Sequence, residues 1–214
     1  MNYFRLLFSG KSILRVLQQE EFDKFELKGD CLEFGAKTDL YKNFLNKKSS
    51  KYSTSFSNII KNEKFIFIDL EKKTKHKRKY DNIVFFNVLE HLSKINTPFQ
   101  NLRYLLKEKG KVLGSTPFLY RIHGAPKDYT RFTKENLKKI LTDNKFINVK
   151  IKELGTGPFL ASISLLRSYL KYLFIIYQLL IISALILDKL LFFFMKTDPK
   201  KIYPIGYLFS ATKK

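Results

Sequence analysis

The chain has 214 residues, of which 45% are hydrophobic, and it contains a single cysteine, Cys31. This length predicts one domain of ordinary size, residues 1–214, with enough apolar content for a packed core. A lone cysteine excludes an intrachain disulfide and favours a reducing compartment. The apolar run at residues 3–8 is too short for a secretory signal.

The net charge of +21 invites a nucleic-acid interpretation, including an RNA-modifying one. Lysines are spread along the whole chain, however, and the densest cluster, residues 72–79 (KKTKHKRK), lies between two predicted strands and is expected to be a solvated loop. Nucleic acid is therefore the least favoured partner. A membrane with anionic lipid is favoured instead, because each basic residue near such a surface gains about 1 kcal/mol.

The order of predicted elements indicates an α/β protein. Helical spacing predicts a leading helix within residues 4–25. Strands are predicted at residues 31–34, 51–56, 65–70, 83–86, 112–115, 146–154 and 203–212, and helices at 38–46, 97–107 and 134–143. Gly110 is expected to end the second of these helices as a left-handed cap, and Thr133 to cap the third. Strands alternating with helices predict a mostly parallel sheet with right-handed crossovers.

An apolar helical insert, residues 158–202, precedes the last predicted strand. Its most apolar part, residues 172–187, would span only about 24 Å as a helix, less than a hydrocarbon core of about 30 Å. If the flanking strands share one sheet, the chain must return to the side of the membrane that it left, so it would have to cross an even number of times. Two full spans need about 40 apolar residues, which is more than the insert contains. We therefore predict a helical hairpin over residues 159–195 that lies in the membrane interface, with an oligomer interface and a single span as alternatives. Residues Ser164, Arg167, Ser168 and Lys171 form a polar stripe that suits an interfacial helix.

Two polar segments follow predicted strands. In residues 81–92 (DNIVFFNVLEHL), a buried strand ends at Asn87, and Glu90 and His91 open a helix. Open α/β sheets bind ligands beyond the carboxyl ends of their strands, where this segment is expected. In residues 114–133 (GSTPFLYRIHGAPKDYTRFT), a strand runs into a loop dense in polar side chains, namely His123, Lys127, Asp128, Tyr129 and Arg131. A connector without a function is seldom so rich in such groups.

With these two motifs at this spacing, the sequence resembles class I S-adenosylmethionine-dependent methyltransferases of the type 11-like branch, which carry NVLEHL followed by TPF…H..P.DY.R.T. The resemblance covers about residues 29–149, with an echo at residues 203–212 (YPIGYLFSAT). It implies a Rossmann-like seven-stranded methyltransferase sheet, mostly parallel with the last strand antiparallel, and S-adenosylmethionine as cofactor.

The resemblance also implies roles for cofactor-side residues. Glu33 and Gly35 match the turn over which the cofactor lies, whereas Ala36, Lys37 and Thr38 replace the small residues expected there. Asp69 would accept a hydrogen bond from the adenine amine, or it balances nearby lysines. Asn87 would line the methionine end of the cofactor. Residues 55–58 offer no carboxylate to hold the ribose.

Acceptor-side roles are assigned to the loop and to His91. A histidine ordinarily titrates near neutrality, so His123 suits a proton acceptor, with Asp128 orienting it or binding the acceptor. Arg131 suits an anionic group, Tyr129 offers a flat face to a sugar, and His91 is either a substrate contact or a helix-cap residue. Asp128 and Arg131 are also spaced to pair with each other. No metal site is predicted.

Three functions remain open from the sequence. The first is a methyltransferase on the inner face of the cytoplasmic membrane, acting on a small-molecule or lipid-linked glycan, such as a cell-surface polysaccharide precursor. The second is a non-catalytic relative that serves as a membrane-associated scaffold, supported by the altered turn at residues 36–38. The third is an RNA methyltransferase or nucleic-acid-binding module. A homodimer is compatible with each of them.

Overall fold

The structure is a computed structural model, and it describes residues 7–35, 51–55, 65–66, 68–124 and 127–214. The strands are β1 Asp30–Phe34, β2 Lys51–Ser55, β3 Phe65–Ile66, β4 Tyr80–Phe86, β5 Leu106–Pro117, β6 Phe146–Leu154 and β7 Gly206–Lys213. The helices are α1 Ile13–Phe22, α2 Asn96–Leu105, α3 Lys134–Asp143, α4 Pro158–Leu170, α5 Phe174–Phe194 and α6 Pro199–Ile202. The predicted helix at residues 38–46 lies outside the described residues.

The strands form one sheet in the order β3-β2-β1-β4-β5-β7-β6. Strands β1 to β5 pair with one another in parallel, in the pairs β3–β2, β2–β1, β1–β4 and β4–β5. β7 runs antiparallel to β5. Near the end of β7, Lys213 donates to the carbonyl of Leu106 at the start of β5. Just before β7 begins, the carbonyl of Ile205 accepts the N–H of Phe118, which directly follows the end of β5. The predicted Rossmann-like methyltransferase fold, with its antiparallel last strand, is confirmed.

The chain forms two compact units. One comprises Met1–Phe25, Pro117–Ile122 and Lys152–Leu208, and the other comprises Glu26–Thr116, His123–Ile151 and Phe209–Lys214. The second unit holds most of the sheet, and the ring of Phe85 in β4 lies edge-on to Phe99 of α2 and Phe209 of β7 at its centre. A Cβ on Gly114 would come within 2.5 Å of Phe209, so that close packing requires a glycine there.

Local signals explain the elements that match their predicted bounds. α3 begins after Thr133, whose hydroxyl accepts the backbone N–H of Asn136, and it buries Leu137, Ile140 and Leu141 on one face. β6 also has its predicted bounds. The leading helix is described as α1, which begins after the capping residue Ser12.

Two predicted element ends are wrong. α2 ends at Leu105, and Gly110 lies within β5 instead of capping the helix. Tyr80 pairs with Leu106 while Asn82 pairs with Lys111, so β5 bulges here, and the left-handed residue is Lys109. Of the strand predicted at residues 65–70, Phe65–Ile66 is described as a strand, and residues 68–70 lie outside any strand, with a turn at Leu70.

The insert forms the predicted helical hairpin, α4 and α5, within the first unit. Asp188 of α5 is buried, and its carboxylate accepts the hydroxyl of Thr156 (2.6 Å) and the backbone N–H groups of Phe159 (3.0 Å) and Leu160 (3.1 Å). An acidic side chain therefore caps the amino terminus of α4 from the neighbouring helix.

The residues of the polar stripe on α4 differ in their exposure from the apolar residues of the same helix. Ser164 is buried and Arg167 donates to the carbonyl of Gly10 (2.7 Å), whereas Leu166 and Tyr169 are exposed. Arg167 thus bonds within its own unit, and apolar side chains of α4 are exposed. α5, at 21 residues, is also longer than the apolar part recognised in the sequence.

Candidate functional site

The first part of the candidate site begins where β4 ends. Asn87 takes a left-handed conformation (φ 54°), and its N–H donates to the carbonyl of Ser115 in β5 (2.9 Å). A single-turn 3-10 helix, Leu89–His91, follows in place of the predicted helix start. Residues 87–91, the strand-end motif, thus lie at the carboxyl edge of the parallel strands, as the sequence predicted.

Gly35 follows β1 at the same edge and packs against the strand-end motif. Its φ is +80°, and a Cβ there would lie 2.5 Å from Cγ2 of Val88. Glu33, two residues earlier, is buried. The backbone of this turn therefore approaches the strand-end motif more closely than any side chain allows. Ala36, Lys37 and Thr38, together with residues 56–58, lie outside the described residues.

Asp69 is engaged by neighbouring residues. Its Oδ1 accepts the N–H of Glu71 (2.9 Å), and Lys72 Nζ lies 3.2 Å from its Oδ2. Lys72 is thus the lysine that Asp69 balances, as one of the two predicted alternatives required. The contact of Asp69 with the adenine amine stays a prediction. Sequence reasoning missed Glu71, which accepts from both the N–H and the hydroxyl of Ser93 and ties this segment to the chain after the strand-end motif.

Glu90 has an unusual environment for a carboxylate. Its side chain is 0% exposed, and neither carboxylate oxygen has a hydrogen-bond donor within the described part of the chain. Burial raises the pKa of Glu90 to about 8. Oε1 of Glu90 lies 3.9 Å from Nε2 of His91. The sequence placed this residue at the start of a helix, where a carboxylate usually accepts backbone N–H groups, but neither oxygen of Glu90 has a hydrogen-bond partner among the described residues.

The described residues of 123–131, the acceptor loop, are fastened to the strand-end motif through the loop's own backbone. The carbonyl of Lys127 lies 2.6 Å from Nδ1 of His91, and the N–H of Tyr129 donates to the carbonyl of Glu90 (2.7 Å). The rings of His91 and His123 meet edge to face, with centroids 5.0 Å apart. The structure therefore brings together the two segments that the sequence singled out separately.

Asp128 organises the acceptor loop. Its carboxylate accepts both terminal nitrogens of Arg131 and the N–H of His123 (3.0 Å), and Oδ2 lies 3.3 Å from Nδ1 of His123. The guanidinium of Arg131 is the main reason why the pKa of Asp128 falls to about 2. The carboxylate is therefore ionised and fully engaged, which fits a positioning role for Asp128. The predicted pairing of Asp128 with Arg131 is present, while the Tyr129 ring is half exposed.

A model of the methyltransferase domain family matches residues 5–149. The chain belongs to this family. S-adenosylmethionine is the cofactor of these methyltransferases, as the resemblance implied. Comparison with curated proteins gives no match.

Solved methyltransferases share the fold. A methyltransferase from Archaeoglobus fulgidus is 16% identical, with a TM-score of 0.57 and 98% of each chain covered. Phosphoethanolamine N-methyltransferase 2 from Haemonchus contortus, solved with S-adenosylhomocysteine and phosphomonomethylethanolamine, is 14% identical, with a TM-score of 0.56. The structure of the same enzyme with S-adenosylmethionine is 13% identical to this chain, with a TM-score of 0.54. The match covers 94% of this chain but only 52% of the Haemonchus enzyme, so the chain spans about half of that protein's length.

The described residues fit the family's cofactor at the β1 turn. Gly35 has a φ of +80° directly after β1, and a glycine in this turn lets the backbone approach a bound nucleoside closely. Glu33, Gly35 and Asn87 are the described residues that would hold the cofactor there. The cofactor supplies a methyl group already activated on a sulfonium, so the protein needs mainly to position it.

A separate cleft of about 420 Å³ lies far from this chemistry. It is lined by residues at the opposite, amino-terminal edge of the parallel strands, among them Lys79, Arg103, Lys145 and Lys213. None of the predicted site residues lines it. The cleft therefore adds nothing to the candidate methyltransferase site.

Proposed function

We propose that this chain transfers a methyl group from S-adenosylmethionine to an acceptor bound against the acceptor loop. The observation that supports this most is the fastening of the loop onto the strand-end motif through Lys127 and Tyr129. Gly35 packs on Val88 of the same motif. Cofactor-side and acceptor-side residues thus share one edge of the sheet.

The roles of the individual residues follow from their contacts. Gly35 and Asn87 position the cofactor. His123, held by Asp128, receives the proton that an acceptor hydroxyl releases as its oxygen gains the methyl group. Arg131 braces Asp128, so its use as an anion contact has less support than its use as a brace. Tyr129 and His91 are the remaining contacts for the acceptor.

Cofactor titration tests the proposal against the non-catalytic alternative. Calorimetry of the purified chain with S-adenosylmethionine should show one binding event, accompanied by thermal stabilisation. The absence of both at millimolar ligand would favour a relative that kept the fold and lost the cofactor, consistent with Ala36, Lys37 and Thr38 in the turn. High-affinity RNA binding that persists at physiological salt would instead revive the nucleic-acid alternative.

The role of His123 needs a separate variant. His123→Ala should bind the cofactor as the wild type does and transfer no methyl group, because the side chain acts on the acceptor side. His76→Ala is the matched control, since His76 contacts Tyr80 and lies outside the site. Full turnover by His123→Ala would remove His123 from the mechanism.

We also propose that the α4–α5 hairpin lies on a membrane surface. Large apolar side chains on both helices are exposed, including Leu166, Tyr169, Ile175, Leu179 and Ile186. Within the described residues, Phe174–Phe194 is the one helix with the length and composition to cross a membrane, and only 17% of its most apolar window is buried. Because β6 and β7 on either side of the hairpin share a sheet, the chain returns to the side it left, which favours a surface orientation over a crossing.

Vesicle flotation tests this orientation. Wild-type protein should float with vesicles containing an anionic lipid, and the double variant Ile175→Glu/Leu179→Glu should remain in solution, because it places two charges on the exposed face of α5. Ile147→Glu, at an exposed apolar residue of β6, is the matched control and should still float. A wild type that stays in solution as a dimer would favour the oligomer-interface alternative.

The acceptor that fits these features is a membrane-associated glycan, such as a surface-polysaccharide precursor, reached from the cytoplasmic face. The exposed hairpin supports the membrane location, and the half-exposed ring of Tyr129 supports a sugar. Radiolabelled methyl transfer to membrane extracts, followed by fractionation into lipid-linked glycan, small molecules and RNA, distinguishes the three acceptor classes. Label confined to RNA would overturn the glycan assignment.

A further inference from the structure

Glu90, His91 and His123 form a cluster that the sequence did not indicate as a metal site. Each residue offers one ligand-capable atom, and these atoms lie within 4.8 Å of one another. Among the described residues this is the one such group of histidine, cysteine and carboxylate side chains. The chain has only three histidines, and two of them are here.

The carboxylate of Glu90 is the second, independent observation. A fully buried carboxylate normally accepts several hydrogen bonds, because an unsatisfied buried polar group costs several kcal/mol. Both oxygens of Glu90 lack a donor within the described part of the chain, and Oε1 lies toward Nε2 of His91 at 3.9 Å. The side chain is thus directed into the cluster.

The imidazole of His91 is held as that of a metal-ligating histidine is. A carbonyl can only accept, so the contact between His91 Nδ1 and the carbonyl of Lys127 places the proton on Nδ1 and leaves the lone pair on Nε2. Nδ1 of His123 lies 3.3 Å from Asp128 Oδ2 but makes no hydrogen bond within the described residues, and it is the backbone N–H of His123 that donates to this oxygen. A carbonyl partner on the other ring nitrogen, as His91 has, is a usual outer contact of metal-bound histidine.

We propose that Glu90, His91 and His123 bind one divalent transition-metal ion. Two imidazoles and one carboxylate favour zinc, manganese, iron or cobalt over magnesium or calcium, which prefer all-oxygen ligands. Three protein ligands also leave coordination positions open for water or an oxygen ligand. Metal binding of this kind does not depend on methyl transfer, and it gives His123 a role other than proton acceptor in the metal-loaded protein.

Direct binding measurements on the full chain test the site. Protein without a polyhistidine tag is freed of metal with a chelator and titrated with Zn²⁺ and with Co²⁺, by calorimetry and visible absorption respectively. We expect one ion per chain. Glu90→Gln and His91→Ala should each weaken binding more than the roughly 10–100-fold typical of losing an outer contact. His76→Ala is the matched control and should bind as the wild type does.

Spectroscopy of the unaltered protein keeps the test decisive if a variant fails to fold. With ¹⁵N-labelled histidine, Zn²⁺ should shift the ring signals of two histidines, assigned by substitution to His91 and His123, and leave His76 unchanged. Absence of stoichiometric binding, or binding that shifts His76 or survives Glu90→Gln unchanged, would overturn the assignment. A chain that binds metal but not S-adenosylmethionine would retain this site while the methyltransferase proposal fails.

Discussion

The substitution Gly35→Ala tests whether the turn after β1 is built for close approach. Two costs follow from the structure. A non-glycine residue at a φ of +80° costs about 1–2 kcal/mol. The new Cβ would also lie 2.5 Å from Cγ2 of Val88, where carbon contacts are normally about 3.5–4.0 Å, so the valine must withdraw by about 1 Å. Overpacking of this kind costs about 1–3 kcal/mol.

We expect Gly35→Ala to lower the free energy of unfolding by about 2–5 kcal/mol. Cofactor affinity should fall at least about tenfold, because moving Val88 by this amount disturbs the adjoining Asn87 and each 1.4 kcal/mol corresponds to a factor of ten. Urea unfolding followed by circular dichroism measures the first effect, and calorimetric titration with S-adenosylhomocysteine measures the second.

A double-mutant cycle separates the two costs. Val88→Ala removes the methyl group that the new Cβ would meet, so Gly35→Ala/Val88→Ala should recover the steric part and retain the 1–2 kcal/mol backbone part. If Gly35→Ala leaves unfolding free energy within about 0.5 kcal/mol of wild type and affinity unchanged, the close-approach reasoning is wrong. If Val88→Ala gives no rescue, the clash is not the cause of the loss.

Substitutions at three further positions test other parts of the structure. Asp188→Ala should lower the unfolding free energy by about 2–3 kcal/mol in urea titrations, because it removes three hydrogen bonds at the start of α4; Asp188→Asn should cost less. Lys107 holds the pKa of the Asp81 carboxyl below its usual value. The ionised form of Asp81 therefore stabilises the folded protein at neutral pH, and this contribution to the unfolding free energy is lost as the pH falls through the folded-state pKa. Wild type should therefore lose more stability than Asp81→Asn on acidification to below about pH 3.9, and equal losses would contradict this. Asp128→Asn should cost about 1–3 kcal/mol by leaving Arg131 without its charged partner, while cofactor affinity stays unchanged.

Much of the fold could be predicted because its signals are local. α3 has a capping threonine and a clear apolar face, and β6 begins directly after the short turn that follows α3. Gly110 was misassigned because a glycine after a helical pattern usually caps a helix. The bulge that places it in β5 depends on how Tyr80 and Asn82 pair with that strand, and no local signal specifies this pairing.

The site was predicted in its parts but not in its assembly. Asp128 and Arg131 are three residues apart, so their pairing could be foreseen. The burial of Glu90 could not be predicted, because the sequence around it is typical of the exposed start of a helix. On the acceptor loop, the contacts that bring the two segments together use the backbone of Lys127 and Tyr129, so the identities of these two side chains carry no information about them.

This main-chain fastening determines how the site variants should be interpreted. The carbonyl of Lys127 contacts His91, but the N–H of Tyr129 and the carbonyl of Glu90 join the two segments without any side chain. Removing the imidazole of His123 leaves both contacts in place. A loss of methyl transfer or of metal binding in His123→Ala therefore reports on the imidazole itself. In His91→Ala one of the two contacts is lost as well, so Glu90→Gln, which changes neither, is the sharper test of the cluster.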